Sequence, residues 1–236
     1  MRMVHAVVGG VLLAAAIAFT GTAEANMLID GSFEDVTAPI NPFGLITLPG
    51  DSSDLPGWTI SGAVISGITG TPGIDVVPNS YWQPSDGNFS VNLDGTPGHG
   101  GITQTVATAP GVTYQLTFDF AVNPEVGLPG EIALERIMDL TITAGDASVL
   151  QDEQYSEFAG SNTNSSMNYT GQLVLFVATD TTSTIAFTAI GLTTYTGPVI
   201  DNVILDVAPG QPTPEPATLA VLGLASGALL TRRRWR

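Results

Sequence analysis

Apolar and polar side chains alternate most clearly over Thr113–Val122. In this stretch every second position is apolar, as at Tyr114, Leu116, Phe118 and Phe120. The residues between these positions are mostly polar. A period of two residues is that of a β-strand with one buried and one solvent-facing side. The stretch therefore predicts a half-buried strand near the middle of the chain.

Shorter runs of the same kind lie on both sides of this strand, and Pro-Gly pairs, a strong turn signal, lie in four of the eight gaps between the runs and twice before the first run. No clear 3.6-residue helical period is found between the two ends of the chain. Many short strands joined by turns predict an all-β fold, an antiparallel sandwich. The runs cover residues 58–60, 74–77, 89–93, 102–106, 140–144, 173–178, 185–190 and 199–207.

Three stretches lack the alternation and predict loops. Residues 37–54 are rich in proline, residues 124–135 contain Pro, Gly and Glu, and residues 159–171 are mostly Ser, Thr and Asn. Long loops on a sandwich are where ligands usually bind, although mobile polar surface is the commoner explanation.

Charge is distributed very unevenly along the chain. Residues 26–214 contain 20 Asp and Glu and one basic side chain, Arg136, which gives this part a net charge of −19. Nucleic acid is excluded as a partner, because binding it requires Lys and Arg to replace phosphate counterions. The chain has no cysteine and no lysine, so disulfides, thiol catalysis and lysine Schiff bases are also excluded.

The N-terminal 25 residues have the pattern of a secretory signal peptide. Arg2 precedes an apolar stretch over residues 6–19, and Ala23-Glu24-Ala25 forms a small-x-small cleavage site. Signal peptidase is expected to cut before Asn26. A membrane anchor is less favoured. About 14 residues form a helix only about 21 Å long, whereas the hydrocarbon core of a lipid bilayer is about 30 Å thick.

The C-terminal end combines a proline-rich linker over residues 209–213 with a short apolar segment over residues 217–230. The predicted organisation is a signal peptide at 1–25, one domain at 26–208, the linker, and a sorting or anchor segment at 214–236. The residues that mark this last segment are Pro214, Glu215 and Pro216 before the apolar stretch and Arg232, Arg233 and Arg234 after it.

Five motifs in the central domain occur in an order that carries a family resemblance. They lie at residues 26–34, 55–60, 81–95, 101–105 and 198–203. Together they resemble the bacterial choice-of-anchor C family, which is similar to galactose-binding-like jelly rolls of plant cell-wall proteins of unknown function and of many carbohydrate-binding modules. The resemblance covers residues 26–207 and implies a jelly-roll β-sandwich flanked by a signal helix and a short C-terminal apolar helix.

The tail resembles the PEP-CTERM sorting domain that exosortases recognise in bacteria that make extracellular polysaccharide. This implies export, transient anchoring in the inner membrane with the arginines at the cytoplasmic face, and delivery to the cell envelope or extracellular matrix. An exosortase and an extracellular polysaccharide are the implied partners. A plain tail anchor is the alternative.

The resemblance also implies a structural calcium ion between the first and last strands, with Glu34 and Asp201 at the matching positions. Alternation places Asp201 on the same face as Val199, Val203 and Leu205. A carboxylate on an apolar face needs a partner, either a cation or several hydrogen-bond donors. Capping of the carboxylate by backbone N–H groups is therefore the alternative to calcium.

Sugar binding would require exposed aromatic side chains with polar neighbours. The main candidates share one loop between a strand and a turn: Tyr81, Trp82, Gln83, Asp86 and Asn88. A core position is the alternative for Trp82, and it is the favoured interpretation for Trp58 and Phe118. Further candidates are Asn79, Tyr155, Tyr169 and Tyr195.

The predicted function is non-catalytic binding or structural support, with carbohydrate as the favoured ligand. An envelope glycosidase is the first alternative, since such an enzyme needs only two suitably spaced carboxylates. A matrix protein without a small ligand is the second. His99 lies in a Gly-rich turn with no visible partner for a catalytic triad or a zinc site, and it reads as incidental.

Overall fold

The structure is a computed structural model that describes residues 26–62, 72–95, 98–125, 135–160, 162–191 and 195–211. The predicted signal helix, C-terminal apolar helix and sorting motif lie outside these residues, and the part of the chain that is described contains no candidate membrane-spanning helix. The strands are β1 (Ile46–Pro49), β2 (Thr59–Gly62), β3 (Gly73–Pro78), β4 (Phe89–Asn92), β5 (Gly100–Ala107), β6 (Thr113–Val122), β7 (Arg136–Ala144), β8 (Val149–Glu157), β9 (Thr170–Val177), β10 (Thr182–Ile190) and β11 (Pro198–Val207).

The strands form two antiparallel sheets with a shared core. The six-stranded sheet has the order β1-β3-β4-β11-β6-β9, and the five-stranded sheet has the order β2-β5-β10-β7-β8. Successive strands such as β4 and β5, or β10 and β11, lie in different sheets, so the chain crosses repeatedly over one core. The predicted all-β jelly-roll sandwich is confirmed.

Alternation in β6 produces the centre of this core. Leu116 and Phe118 point inward and are almost completely buried, and the ring of Phe118 meets that of Phe187 in β10 edge to face, with centroids 5.1 Å apart. Trp58, before β2, packs against Phe187 at 6.4 Å. Burial of each such side chain stabilises the fold by roughly 1.5–3 kcal/mol, so the aromatic layer joins the two sheets. The predicted core positions of Trp58 and Phe118 are confirmed.

Two strands lie where no strand was predicted. β1 occupies four residues of the proline-rich stretch that was predicted as a loop, and β8 forms the edge of the five-stranded sheet beside β7. β8 carries Asp152, Glu153 and Glu157 and is largely exposed. An edge strand with a wet outer face can form from backbone pairing alone, so it lacks the apolar alternation on which the prediction relied.

β11 contains a β-bulge that corrects one sequence-based expectation. Its register with β6 shifts between Asp201 and Ile204, and Asn202 has a φ of 50°. Asp201 and Val199 therefore lie on the outer face of the six-stranded sheet, whereas Val203 and Leu205 face the main core. The extra residue of a bulge reverses the side to which later residues point, so strict alternation fails here.

The outer face of the six-stranded sheet carries a second apolar cluster, which we call the outer cluster. It consists of Val77, Trp82, Ala121, Met167 and Val199. Three of these residues come from strands, while Trp82 and Met167 come from loops that fold over the sheet. This part of the outer face is thus closed by loops, and a cavity lies beside it.

Candidate functional site

A cavity of about 160 Å³ lies next to the outer cluster, and its floor is polar. Asp75 in β3 and Asn92 in β4 are register partners, so both side chains lie on the outer face of the sheet. Asn123 follows β6 and Thr196 precedes β11, and all four residues are buried. The antiparallel pairing of neighbouring strands therefore gathers polar groups that are distant in sequence.

Hydrogen bonds fix the Asn92 amide on this floor. Its Nδ2 donates to the carbonyl oxygens of Asp94 at 2.9 Å and Tyr195 at 3.3 Å, and its Oδ1 accepts from the Gly197 N–H at 3.1 Å. Asn92 thus holds the segment that carries Tyr195 and Thr196 against the cavity.

The mouth of the cavity is formed by half-buried side chains, among them Tyr81, Glu125 and Tyr195. The Tyr81 hydroxyl donates to Glu125 Oε1 at 2.7 Å. Burial, together with this hydrogen bond, raises the pKa of Tyr81 above its ordinary value, so the phenol remains a donor at neutral pH. Glu125 is anchored in turn because its N–H donates to Asn123 Oδ1 at 2.8 Å.

Arg136 braces the wall of the cavity from inside the protein. It is fully buried, and its Nη2 donates to the Glu125 carbonyl oxygen at 3.1 Å and to Thr196 Oγ1 at 3.3 Å. It is the only Lys or Arg in the part of the chain that the structure describes. Its charge links two segments of the wall and is not presented at the mouth.

An open groove of about 480 Å³ shares Tyr81 and Trp82 with the cavity. Gln83 and Asn164 also line the groove, and they join its two sides because the Gln83 N–H donates to the Asn164 carbonyl oxygen at 2.8 Å. The Tyr81 side chain therefore borders both a closed cavity and an open surface groove.

Glu34 holds the loop that carries Tyr81 and Trp82. This loop, residues 79–88, connects β3 and β4. Glu34 Oε1 accepts from the N–H groups of Asn88 at 2.6 Å and Phe89 at 2.9 Å, and Oε2 accepts from Asn88 Nδ2 at 3.0 Å. A carboxylate from the N-terminal segment therefore caps the end of the loop.

Asp201 caps the same loop from β11. Its Oδ2 accepts from the N–H groups of Ser85 at 2.7 Å and Asp86 at 2.9 Å, and its Oδ1 accepts from the Asn202 N–H at 2.7 Å. Burial raises the pKa of Asp201 to about 7, although these N–H donors act in the opposite direction. The bulge at Asn202 keeps Asp201 on the outer face, where it can reach the loop.

A family model described as "Protein of unknown function (DUF642)" matches residues 26–206. The chain belongs to the DUF642 family. Among curated proteins, this DUF642 chain is 29% identical over 232 residues to halomucin of Haloquadratum walsbyi. The match covers 95% of this chain but spans only 2% of the length of halomucin.

Several solved structures are similar to the DUF642 chain. TmCBM61, solved in complex with beta-1,4-galactotriose, has a TM-score of 0.47 and 16% identity, covering 78% of this chain and 99% of its own. A CBM4 structure has a TM-score of 0.44 and 15% identity, covering 76% and 99%. A family 35 carbohydrate binding module from Clostridium thermocellum has a TM-score of 0.35 and 16% identity, covering 69% and 98%.

The residues predicted to hold calcium in this DUF642 chain have N–H donors around them. Glu34 lies in a segment of turns before β1, not in the first strand. The donors present to both carboxylates the positive charge that a cation would supply. Among the described residues no group of three or more His, Asp or Glu side chains could hold a metal ion. The observed contacts therefore fit the capping alternative better than a calcium site, and calcium stays a prediction.

The loop candidates for sugar binding are divided between different places. Tyr81 and Trp82 line the cavity, Gln83 lines the groove, and Asp86 and Asn88 line neither, because they are bonded to the two capping carboxylates. Trp82 is only 2% exposed, and its Nε1 donates to Ser90 Oγ at 2.8 Å. Trp82 is therefore a wall of the cavity within the outer cluster, not an exposed stacking surface.

Sequence reasoning missed most of the polar cavity residues, namely Asp75, Asn92, Asn123 and Glu125. Asp75 lies within the predicted strand over residues 74–77, and no role was predicted for it. One signal was present, because Val77 lies on the same face of β3 and is apolar. When a strand carries a carboxylate and, two positions away on the same face, an apolar residue, that face is a candidate for a functional surface that other segments cover.

His99, for which no partner was visible in the sequence, is bound on both sides in the structure. Its Nδ1 lies 2.7 Å from Asp94 Oδ1, and its Nε2 lies 3.2 Å from the Gly191 carbonyl oxygen. Asp94 is fully buried, and its Oδ2 has no hydrogen-bond partner. The pair is joined to the floor of the cavity because Asn92 Nδ2 donates to the Asp94 carbonyl oxygen at 2.9 Å.

Proposed function

We propose that this protein binds carbohydrate, without catalysis, in the cavity bordered by Tyr81 and Glu125. The observation that carries the proposal is the convergence of aromatic rings, amides and carboxylates on one small pocket. A sugar ring presents an apolar face to aromatic side chains and hydroxyl groups to polar ones. The adjoining groove would accept further residues of a glycan chain.

The two sides of the cavity have complementary roles in this proposal. Tyr81 and Tyr195 supply the ring surfaces at the mouth. Glu125 and Asn123 supply acceptor and donor atoms: Tyr81 bonds the Glu125 carboxylate, and the Glu125 backbone N–H donates to Asn123 Oδ1. Such preorganised polar groups determine the orientation of a ligand and lose little entropy on binding.

Binding to a glycan panel, followed by calorimetry on each hit, tests the proposal. We expect Tyr81→Ala to weaken binding by about fivefold to a hundredfold, since the lost contacts are worth roughly 1–3 kcal/mol. Phe158→Ala is a matched control, because Phe158 is a half-exposed aromatic residue that lines neither the cavity nor the groove. Absence of binding across the panel, or equal losses in both variants, would contradict the proposal.

A glycosidase is the second candidate, because Asp75 and Glu125 place two carboxylates in one cavity. Asp75 is only 1% exposed, and one Glu125 oxygen already accepts from Tyr81, which favours binding over catalysis. Release of reducing ends from a bound glycan, abolished by Glu125→Gln, would establish the enzyme instead.

We further propose that the protein is exported, cleaved by signal peptidase before Asn26, and sorted by an exosortase. Support comes from the apolar stretch at 6–19, the Pro-Glu-Pro motif at 214–216 and the arginines at 232–234. The acidic domain would then reach the cell surface or matrix, where extracellular polysaccharide is available as a ligand. If no glycan binds, a structural matrix protein with the same route is the remaining alternative.

A further inference from the structure

The charge of the cavity limits the class of glycan that can bind there. Its described lining includes two carboxylates, Asp75 and Glu125, and no Lys or Arg. Arg136 lies behind the wall, where its guanidinium bonds Glu125 and Thr196. A negatively charged sugar would therefore meet the Glu125 carboxylate at the mouth, where no described Lys or Arg compensates its charge.

The surrounding domain strengthens this preference. Residues 26–214 carry 20 acidic side chains against one arginine, a net charge of −19. The negative electrostatic field of these residues attracts cationic ligands and repels anionic ones. At about 0.1 M salt, dissolved ions screen this field beyond a distance of about 10 Å. Uronic-acid polymers are disfavoured by this field both at a distance and in the cavity.

Glu125 offers a specific position for a positive group. Its Oε1 accepts from the Tyr81 hydroxyl, whereas no described residue donates to its Oε2. The Tyr81 hydroxyl bonds this carboxylate at the mouth and Asn123 Oδ1 accepts from the Glu125 backbone N–H, so the residue is fixed while Oε2 is available to a ligand. A charge-assisted hydrogen bond to an ammonium group is roughly twice as strong as one to a neutral hydroxyl.

We propose that the ligand of this cavity is a glycan containing unacetylated amino sugars, with its ammonium group bound to Glu125 Oε2. This inference rests on the proposed carbohydrate-binding function and specifies its ligand class. Tyr81 would then contribute in two ways, by orienting Glu125 through its hydroxyl and by packing its ring against the sugar.

Calorimetry with short, defined oligosaccharides tests the proposal on the full chain. The probes are glucosamine and galactosamine trimers, their N-acetylated counterparts, neutral galactose and glucose trimers, and a galacturonate trimer. At about pH 5.5 and low salt we expect the amino-sugar trimers to bind about tenfold more tightly than the acetylated ones. We expect Glu125→Gln to reduce that preference to less than about twofold.

Asp146→Asn is the matched control, since it removes one negative charge from an exposed turn far from the cavity lining. A similar loss of preference in both variants would show general electrostatic attraction and overturn the inference. Equal or tighter binding of neutral, acetylated or galacturonate trimers would overturn the amino-sugar ligand but leave carbohydrate binding intact. Absence of binding by all probes, with a glycan panel equally negative, would overturn both proposals.

Discussion

At the scale of single residues, His99 makes two contacts that require both of its ring nitrogens to carry a proton. Nδ1 faces a carboxylate and Nε2 faces a carbonyl oxygen, and both partners are acceptors. A neutral imidazole has only one N–H, so the imidazolium form satisfies the site better. The hydrogen bond to Asp94 is the main cause that raises the pKa of His99, with smaller contributions from the charge of Asp94 and from Gly191, while burial opposes the shift.

The pH dependence of stability follows from this raised pKa. The stabilisation is complete below the ordinary histidine pKa of about 6.5 and is lost as pH rises through the higher pKa of the folded state. We expect melting curves between about pH 5.5 and 9 to show the protein losing stability relative to His99→Gln, by about 1–3 kcal/mol. Parallel curves for the two proteins, or an imidazole pKa at or below 6.5 by NMR, would contradict this.

The same residue shows why side-chain chemistry was hard to predict. Asp94 and His99 are only five positions apart, and their side chains meet at the buried carboxylate of Asp94. Alternation predicts which side of a strand a residue faces, and it contains no information about a contact of this kind outside a strand. Asp75 was missed for a related reason, since loops cover the face on which it lies.

At the scale of elements, the loop over residues 79–88 is held by two distant carboxylates. Glu34 is 54 residues from Asn88 in sequence, and Asp201 is 116 residues from Ser85. Each accepts backbone N–H groups that would otherwise lack a partner in a turn. The conformation of the loop that positions Tyr81 therefore depends on Glu34 and Asp201 as well as on the sequence of the loop itself.

Removing one capping carboxylate should loosen this loop. We expect Glu34→Gln to destabilise the protein by roughly 1–3 kcal/mol, because the amide keeps one acceptor oxygen and its NH₂ group cannot accept from Asn88 Nδ2 as Oε2 does. Hydrogen exchange at these two amides should become faster. Asp35→Asn, at the neighbouring position, is the control, and equal exchange in all three proteins would show that the cap is not important.

Thermal unfolding also distinguishes backbone capping of the two carboxylates from calcium binding by them. With N–H donors around Glu34 and Asp201, we expect the melting temperature to be the same in excess chelator and in excess calcium. A decrease of several degrees on chelation that disappears in Asp201→Ala would instead establish a calcium site, since a ligand that binds only the native state raises its stability.

Strands with a covered face were the elements that sequence reasoning could predict. β6 was predicted with its observed bounds, Thr113–Val122, because its alternation reflects a wet side and a side in the core. β8 was missed because its pairing with β7 uses backbone groups and leaves acidic side chains in water. In β11 the strand was predicted but the bulge was not, since one inserted residue leaves the apolar composition unchanged.

At the scale of the whole molecule, the sandwich was predictable and the cavity was not. The sandwich depends on a periodic pattern repeated in many strands, and errors in single strands leave the fold class unchanged. The described lining of the cavity comes from two strands, β3 and β4, and from four segments outside strands that meet at one point on an outer face. Its chemistry needs the position of each of these segments, which a single sequence does not contain.

The distribution of charge over the whole chain motivates the last prediction. Four of the six arginines lie in the last five residues, and the domain before them has a net charge of −19. Basic residues after an apolar segment are retained on the cytoplasmic side, which leaves the preceding domain on the other side of the membrane. A protein with this pattern is suited to a transient membrane stage followed by release of its domain.

Replacement of Pro214, Glu215 and Pro216 by alanine should therefore leave the protein unprocessed in the inner membrane. Fractionation of cells that express an exosortase, with an antibody against the domain, should show a larger product retained there and a loss of surface material. Alanine at Pro209 and Pro212 in the linker is the matched control and should not alter delivery. Normal processing of the triple variant would show that the motif is not a sorting signal. Retention of both variants would attribute the defect to linker stiffness, because proline-rich segments are extended spacers that alanine makes flexible.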